Sequence, residues 1–250
     1  MNSLVLVHGL PDHSGTWESL VPLLKPRFPN ISLIGLPGIG DSESILECNT
    51  FDELADKLAE KLPKGPSIYI GHDFGGILGA VIAERHPKLI SQLILINAPT
   101  VQVLREAIAN DKDQAMRSSY ATKIQEDPVG VLTKNNFAFL KYFLFTPEYN
   151  LSTDYLNSLI TLWSNESTLL NIGHYYKLIL NSELKGNGQF NQPASQIWSK
   201  GDPFLEPHVQ RQMKIKFATH ELYSFSHDSH WIQCSDPSRI ADIINQINYS

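Results

Sequence analysis

The sequence predicts an α/β protein: a mostly parallel sheet of about six strands, covered by helices and interrupted by one long helical insertion. Short apolar runs bounded by turn residues recur along the chain, segments with helical spacing lie between them, and the strand signal lapses from about residue 100 to 190. Alternation of this kind indicates βαβ units, whose parallel strands are buried on both faces and therefore read as continuous apolar runs.

The first two strands are read at Leu4–Val7 and Ile31–Ile34. Phe51, Leu54, Ala55, Leu58, Ala59 and Leu62 then fall on one face of a helix that Pro63 ends. A third strand, Ser67–Ile70, runs through a Gly-rich turn into a helix over Ile77–Glu84, closed by His86-Pro87, and a fourth follows at Leu93–Ile96. After Asn97-Ala98-Pro99 the chain becomes helical, rich in Asn and Ser, and aromatic, with Tyr120, Phe137, Phe139, Tyr142, Phe143, Phe145, Tyr149, Tyr155, Trp163, Tyr175 and Tyr176. Strand signals resume after Pro193 at Ser195–Ser199 and Phe217–Tyr223, and a last helix is read from Pro237 to Ile247. The expected division is a core of residues 1–99 and 191–250 around an insertion of residues 100–190.

A chain of 250 residues, 42% hydrophobic and 18% charged, is long enough for one sizeable domain with an insertion. With 15 Gly and 15 Pro, collagen-like, low-complexity and disordered readings are excluded. The 20 basic and 26 acidic residues give a net charge of −6, and no Lys/Arg run exists to neutralise phosphates, which argues against a nucleic-acid partner. Cys48 and Cys234 lack metal-ligand spacing and read as reduced thiols. The N-terminus has no basic segment and its apolar run stops at Val7, too short for a signal peptide or a membrane span. A soluble, cytoplasmic protein with no membrane partner is expected.

In parallel sheets, ligands bind beyond the carboxyl ends of the strands, so the turns there carry the chemistry. Gly71-His72-Asp73-Phe74-Gly75-Gly76 joins a strand directly to a helix, and its glycines permit a tight turn that presents Asp73 on a sharp point. Asp is also a favoured helix N-cap, which is the plainer reading of the same residue. His8-Gly9-Leu10-Pro11 follows the first strand, where the backbone N–H of Leu10 could join that of Phe74 as an oxyanion hole; an ordinary strand-end turn would look similar. Gly35–Ser42 lacks a Gly-Lys-Ser/Thr ending and reads as a structural turn. Asp202, in Lys200-Gly201-Asp202-Pro203-Phe204, is either an acid beyond a strand end or a turn-former before Pro. His230, in Ser226-His227-Asp228-Ser229-His230-Trp231, is either a catalytic base or a surface histidine. Nucleophile, acid and histidine in that order, each in a strand-end turn, is the chain order of a hydrolytic triad. Asp228 is a second candidate acid, but it is too close to His230 in sequence for the expected geometry.

On these motifs the sequence resembles the α/β-hydrolase fold and, within it, the epoxide hydrolases that use aspartate as nucleophile. The resemblance extends to Trp198-Ser199-Lys200-Gly201-Asp202-Pro203-Phe204 and His230-Trp231-Ile232-Gln233, and it covers nearly the whole chain. It implies that the insertion is a helical cap. Gln114-Ala115-Met116-Arg117-Ser118-Ser119-Tyr120 resembles the segment with the first cap tyrosine, and His174-Tyr175-Tyr176-Lys177 the segment with the second. By resemblance, Tyr120 and Tyr176 hang over Asp73; from spacing alone they read as cap core.

The resemblance implies opening of an epoxide by Asp73 to a covalent ester, acid assistance from the two tyrosines, and hydrolysis of the ester by water that His230, held by Asp202, activates. The substrates are then a neutral organic epoxide and water, with no metal or organic cofactor. A carboxylate with pKa near 3.9 is ionised at neutral pH and needs no base for the first attack. The sequence departs from the family in having Phe74 where Trp is usual and Leu10 where Phe is usual. Related haloalkane dehalogenases need side-chain N–H groups for halide at these positions, and fluoroacetate dehalogenases an Arg after the nucleophile; Leu10 and Phe74 supply neither. A non-catalytic binding protein on a hydrolase scaffold is the reading from another class, and loss of a triad member or of both tyrosines would have favoured it. The chain also opens on what should be the third strand of the family sheet. That makes Ile31–Ile34 an edge whose backbone groups must be covered or paired, so a homodimer joined at this edge is one expectation.

Overall fold

A computed structural model describes residues 3–40, 43–144, 151–216 and 220–249. In chain order its elements are β1 (Ser3–Val7), a 3-10 turn (Ser14–Trp17), α1 (Val21–Leu24), β2 (Ile31–Ile34), α2 (Phe51–Glu60), β3 (Ser67–His72), α3 (Phe74–Arg85) and β4 (Ile90–Ile96). Six helices follow: α4 (Val101–Asn110), α5 (Lys112–Arg117), α6 (Ser119–Glu126), α7 (Pro128–Leu144), α8 (Thr153–Trp163) and α9 (Glu166–Asn181). The chain then returns to the sheet with β5 (Ala194–Ser199), α10 (Pro207–Lys216), β6 (His220–Phe225), α11 (Ile232–Ser235) and α12 (Pro237–Gln246). Asp41, Ser42, Phe145, Tyr149 and the first three residues of the strand expected at Phe217–Tyr223 lie outside the described residues.

The six strands form one parallel sheet in the order β2-β1-β3-β4-β5-β6. The apolar runs behave as two-sided strands should. Val5, Val7, Tyr69, Leu93 and Leu95 pack on one face with α2, α3 and the inserted helices, whereas Leu4, Leu6, Ile68, Ile70, Ile94 and Ile96 pack on the other with Trp17, Leu24, Ile240 and Ile244. As expected, β2 lies at an edge, paired only with β1 among the described strands, and Leu33 on it is exposed.

Several boundaries differ from the sequence reading. The last strand runs from His220 to Phe225, two residues past Tyr223. Helix α2 ends at Glu60, because Lys61 and Leu62 close a tighter turn onto Leu58 and Ala59 before Pro63. Helix α3 begins at Phe74, three residues before Ile77, directly after the turn. Helix α7 is broken at Lys134–Phe137, where Asn135, Asn136 and Phe137 adopt left-handed backbone angles. No helix among the described residues is long and apolar enough to cross a membrane.

Candidate active site

Strand β3 delivers Asp73 at its carboxyl end, and α3 starts at the next residue. Asp73 has φ 50° and ψ −124°, a conformation that costs an L-residue about 1–3 kcal/mol and persists only where its surroundings enforce it. The close approach is made by glycine. A Cβ on Gly75 would stand 2.4 Å from the His8 carbonyl oxygen, and one on Gly71 would stand 2.5 Å from the Gly75 carbonyl oxygen. The Asp73 side chain makes no capping bond to α3, so the N-cap reading fails. Its Oδ1 instead accepts from the backbone N–H of Leu10 at 2.9 Å.

Phe74 is the first residue of α3, so its N–H has no acceptor within the helix and opens at the same turn. The Leu10–Pro11 peptide is cis. His8 is buried and braces this turn, its Nδ1 donating to the Gly9 carbonyl at 2.8 Å and its Nε2 accepting from the Leu36 N–H at 3.1 Å.

His230 arrives on the loop after β6. Its Nε2 lies 3.4 Å from Asp73 Oδ2 and its Nδ1 lies 2.6 Å from Asp202 Oδ2. Asp202 is buried beyond the end of β5, and its other oxygen accepts from the N–H groups of Phe204 at 2.8 Å and Leu205 at 3.1 Å. Asp228, the second candidate acid, is exposed.

These charges set one another. Burial alone would lower the His230 pKa, but the charges and hydrogen bonds of Asp202 and Asp73 outweigh it and raise the value to about 10. Burial likewise opposes charge on Asp73, yet the His230 hydrogen bond and charge and the Leu10 N–H hold its carboxyl below the ordinary value. The resting pair is a carboxylate beside an imidazolium.

Tyr120 at the start of α6 and Tyr176 in α9 meet edge to face, their ring centroids 5.7 Å apart, and both line the cavities that contain Asp73 and His230. Burial raises both phenol pKa values, with the Asp73 charge adding to it, so both hydroxyls stay protonated. Two small cavities of about 30 Å³ and about 50 Å³ share Asp73, Tyr120, Tyr176, Phe204 and His230. Leu132, Phe139, Leu140 and Ile172 wall the first, and Ile77, Leu104, Ile179 and Leu180 the second. Among the described residues, Asp73 and His230 are the only ionised side chains lining either.

The structure thus brings Asp73, Asp202, His230, Leu10, Phe74, Tyr120 and Tyr176 to one place. Four supporting residues escaped the sequence reading. Asn97 and His72 both donate to the His230 carbonyl, at 2.7 and 3.0 Å, and Phe204 stands edge to face with both His230 and Tyr120. Asp12, buried, ties the Leu10 turn to Tyr155 of α8. Signals existed for three of them: His72 and Phe204 stand inside the motifs of Asp73 and Asp202, and Asn97 is a polar residue in the turn directly after an apolar strand.

A family model described as alpha/beta hydrolase fold matches residues 2–237. The chain belongs to the alpha/beta hydrolase fold family. Its membership and its similarity to epoxide hydrolases mark it as a hydrolase enzyme. Among curated proteins it is similar to mouse Epoxide hydrolase 4, 28% identical over 261 residues, covering 97% of this chain and 70% of that protein. It is also similar to a pimeloyl-[acyl-carrier protein] methyl ester esterase from Nitrosomonas europaea, 27% identical over 237 residues, covering 91% of this chain and 88% of the relative. Among solved structures, a Bacillus megaterium epoxide hydrolase superposes with a TM-score of 0.84 at 21% identity, covering 98% of this chain and 92% of that one, a likeness of fold. The resemblance to epoxide hydrolases drawn from the motifs is therefore borne out.

Proposed function

We propose that this hydrolase opens a neutral organic epoxide to a vicinal diol through a covalent ester on Asp73. The observation that carries the reading is the composition of the site: an ionised carboxylate at the strained turn shares an apolar cavity with two protonated tyrosines. A carboxylate attacks saturated carbon directly, whereas its attack on an ester carbonyl would give a mixed anhydride. That chemistry favours an epoxide over the ester substrate in the esterase relative's name. Neither Leu10 nor Phe74 offers the side-chain N–H that a departing halide needs.

In the first step Asp73 Oδ2 forms a bond to an epoxide carbon as the ring C–O bond breaks. The ring oxygen takes a proton from Tyr120 or Tyr176, and the His230 imidazolium returns one to the phenolate. Ester formation removes the Asp73 charge, one of the two that hold the His230 proton, so the imidazole is freed to act as a base. Next, His230 takes a proton from water and the hydroxide adds to the ester carbonyl carbon. The tetrahedral oxyanion lies against the N–H groups of Leu10 and Phe74. The alkyl–oxygen group leaves with the proton from His230, and the regenerated carboxylic acid returns its proton to His230.

The apolar walls on both sides of Asp73 suit uncharged substituents. The test is diol formation across small, aryl and fatty epoxides, together with intact mass of His230→Gln after exposure to each. Diol from the wild type and a covalent adduct on Asp73 in the variant are expected. Neither product with any epoxide would overturn the reading.

A further inference from the structure

Helix α5 reaches from the insertion to the loop that carries Asp202. Gln114 on it is fully buried, and every polar position of its side chain is used. Its Oε1 accepts from the Glu206 N–H at 2.9 Å, and its Nε2 donates to the Phe204 carbonyl at 2.9 Å and to Ser118 Oγ at 2.9 Å. One turn on, Arg117 donates from Nη1 to the Asp202 carbonyl at 2.9 Å and pairs through Nε with Glu206. The amide therefore grips the backbone of the acid loop on both sides of Leu205, and the guanidinium grips the same loop at both ends.

What lies on either side of this grip matters. On the loop, the N–H groups of Phe204 and Leu205 occupy Asp202 Oδ1 and leave Oδ2 for His230. On the insertion, Ser118 is the joint between α5 and α6, and Tyr120 follows it two residues later. The Phe204 ring fills the space between, 5.5 Å from Tyr120 and 5.1 Å from His230, centroid to centroid. A buried, fully satisfied polar side chain rigidifies its surroundings, whereas an apolar one of equal size would leave the Phe204 carbonyl and Glu206 N–H unpaired.

We infer that Gln114 and Arg117 form a clamp that sets Tyr120 and the Asp202–His230 pair in register with one another: positioning residues for both halves of the reaction. The kinetic part of this inference rests on the proposed epoxide chemistry; the geometric part does not. Gln114 acts on ring opening through Tyr120 and Phe204, and Arg117 acts on ester hydrolysis through Asp202.

Two measurements test the clamp. The first needs no substrate: the His230 imidazole titration is followed by NMR in wild type, Gln114→Met and Arg117→Met. Asp202, Asp73 and the neutral His72 are the titratable groups facing this ring, and loosening Asp202 should lower the midpoint by about one pH unit, the lower end of what a nearby opposite charge supplies. An unmoved midpoint in both folded variants overturns the clamp, whatever the substrate proves to be.

The second is single-turnover kinetics with an epoxide that the wild type turns over. Gln114→Met should slow adduct formation and Arg117→Met adduct decay, each on the order of 10-fold, as a small misplacement of reacting groups does. In a Tyr120→Phe background the Gln114→Met effect on adduct formation should vanish. An equal effect in both backgrounds would mean that Gln114 supports the fold without positioning Tyr120, and would overturn its assigned role. Arg117 is partly exposed, so its variant remains informative if Gln114→Met does not fold. Absence of any adduct or diol, by contrast, counts against the epoxide reading and leaves the titration to decide the clamp.

Discussion

Nε2 of His230 lies 3.4 Å from Oδ2 of Asp73, so the carboxylate proposed to be consumed in the first step also helps to hold the imidazole proton. Asp73→Asn mimics the neutral ester in charge and nearly in shape. The His230 pKa, about 10 in the resting protein, should fall in this variant, because Asp202 is then left to oppose burial alone. An imidazole titration by NMR checks this, with His230→Gln assigning the signal. An Asp73→Asn protein whose His230 midpoint stays at the wild-type value would remove the proposed trigger for the second step.

The same pair gives the enzyme a pH signature in stability. His230 binds its proton more tightly folded than unfolded, its value rising from 6.5 to about 10. The stabilisation this brings is complete below about pH 6.5 and is lost as pH rises through about 10. Melting temperature should therefore fall between neutral pH and pH 10, and His230→Gln should flatten that fall. A decline of equal steepness in the variant would assign it to other groups.

Tyr120 and Tyr176 are expected to act in ring opening alone. Each Tyr→Phe change removes one donor to the developing alkoxide and should slow adduct formation by roughly 10²-fold, by analogy with loss of one oxyanion donor. Adduct decay, which uses His230 and the Leu10 and Phe74 N–H groups, should change far less. Rapid-quench mass spectrometry separates the two steps; equal slowing of both would place the tyrosines elsewhere in the mechanism.

Much of this arrangement was legible because a parallel sheet puts its chemistry in strand-end turns. Asp73, Asp202 and His230 lie one, three and five residues past the ends of β3, β5 and β6, so order along the chain and position in the turn located them together. What could not be read was the layer that holds them. Asp12 and Tyr155 stand 143 residues apart and Gln114 and Glu206 92 residues apart, and nothing local to any of the four signals the partner. Helix α10 was missed for a related reason: within its polar run, Val209 and Met213 are the two apolar residues known to be buried, too few to make a periodic stripe. The break in α7 was equally silent, since Lys134-Asn135-Asn136-Phe137 contains no Gly or Pro.

Gly75 should be the least replaceable residue of the turn. A Cβ there meets the carbonyl oxygens of His8 and Val7 at 2.4 and 2.5 Å, backbone atoms at the end of β1 and just beyond it, where the chain is held between β2 and β3 and cannot step aside cheaply. Gly75→Ala should cost at least the 1–3 kcal/mol typical of overpacking and should disturb the Leu10 N–H that β1 delivers. At Gly35 an added Cβ meets nothing closer than His8 Nε2 at 4.0 Å, so Gly35→Ala serves as the tolerated control. Chemical denaturation of the two variants makes the comparison, and equal stability would mean that α3 shifts freely against β1.

Asp12 makes the opposite prediction, a substitution that stabilises. Its carboxyl is buried, and although the Tyr155 hydroxyl and the His13 N–H both donate to Oδ1, burial dominates and raises the pKa from 3.8 to about 6. A carboxyl that holds its proton more tightly folded than unfolded favours the fold below about pH 3.8, and this advantage is lost as pH rises through about 6. At neutral pH the protein therefore carries a buried charge that costs up to roughly 3 kcal/mol, two pH units at 1.36 kcal/mol each. Asp12→Asn keeps an oxygen for both donors and removes the charge. It should melt at a higher temperature than the wild type at pH 8 and lose the wild-type slope between pH 4 and 6. A variant less stable at pH 8, or one that keeps that slope, would mean that the ionised carboxylate itself holds the Leu10 turn against α8.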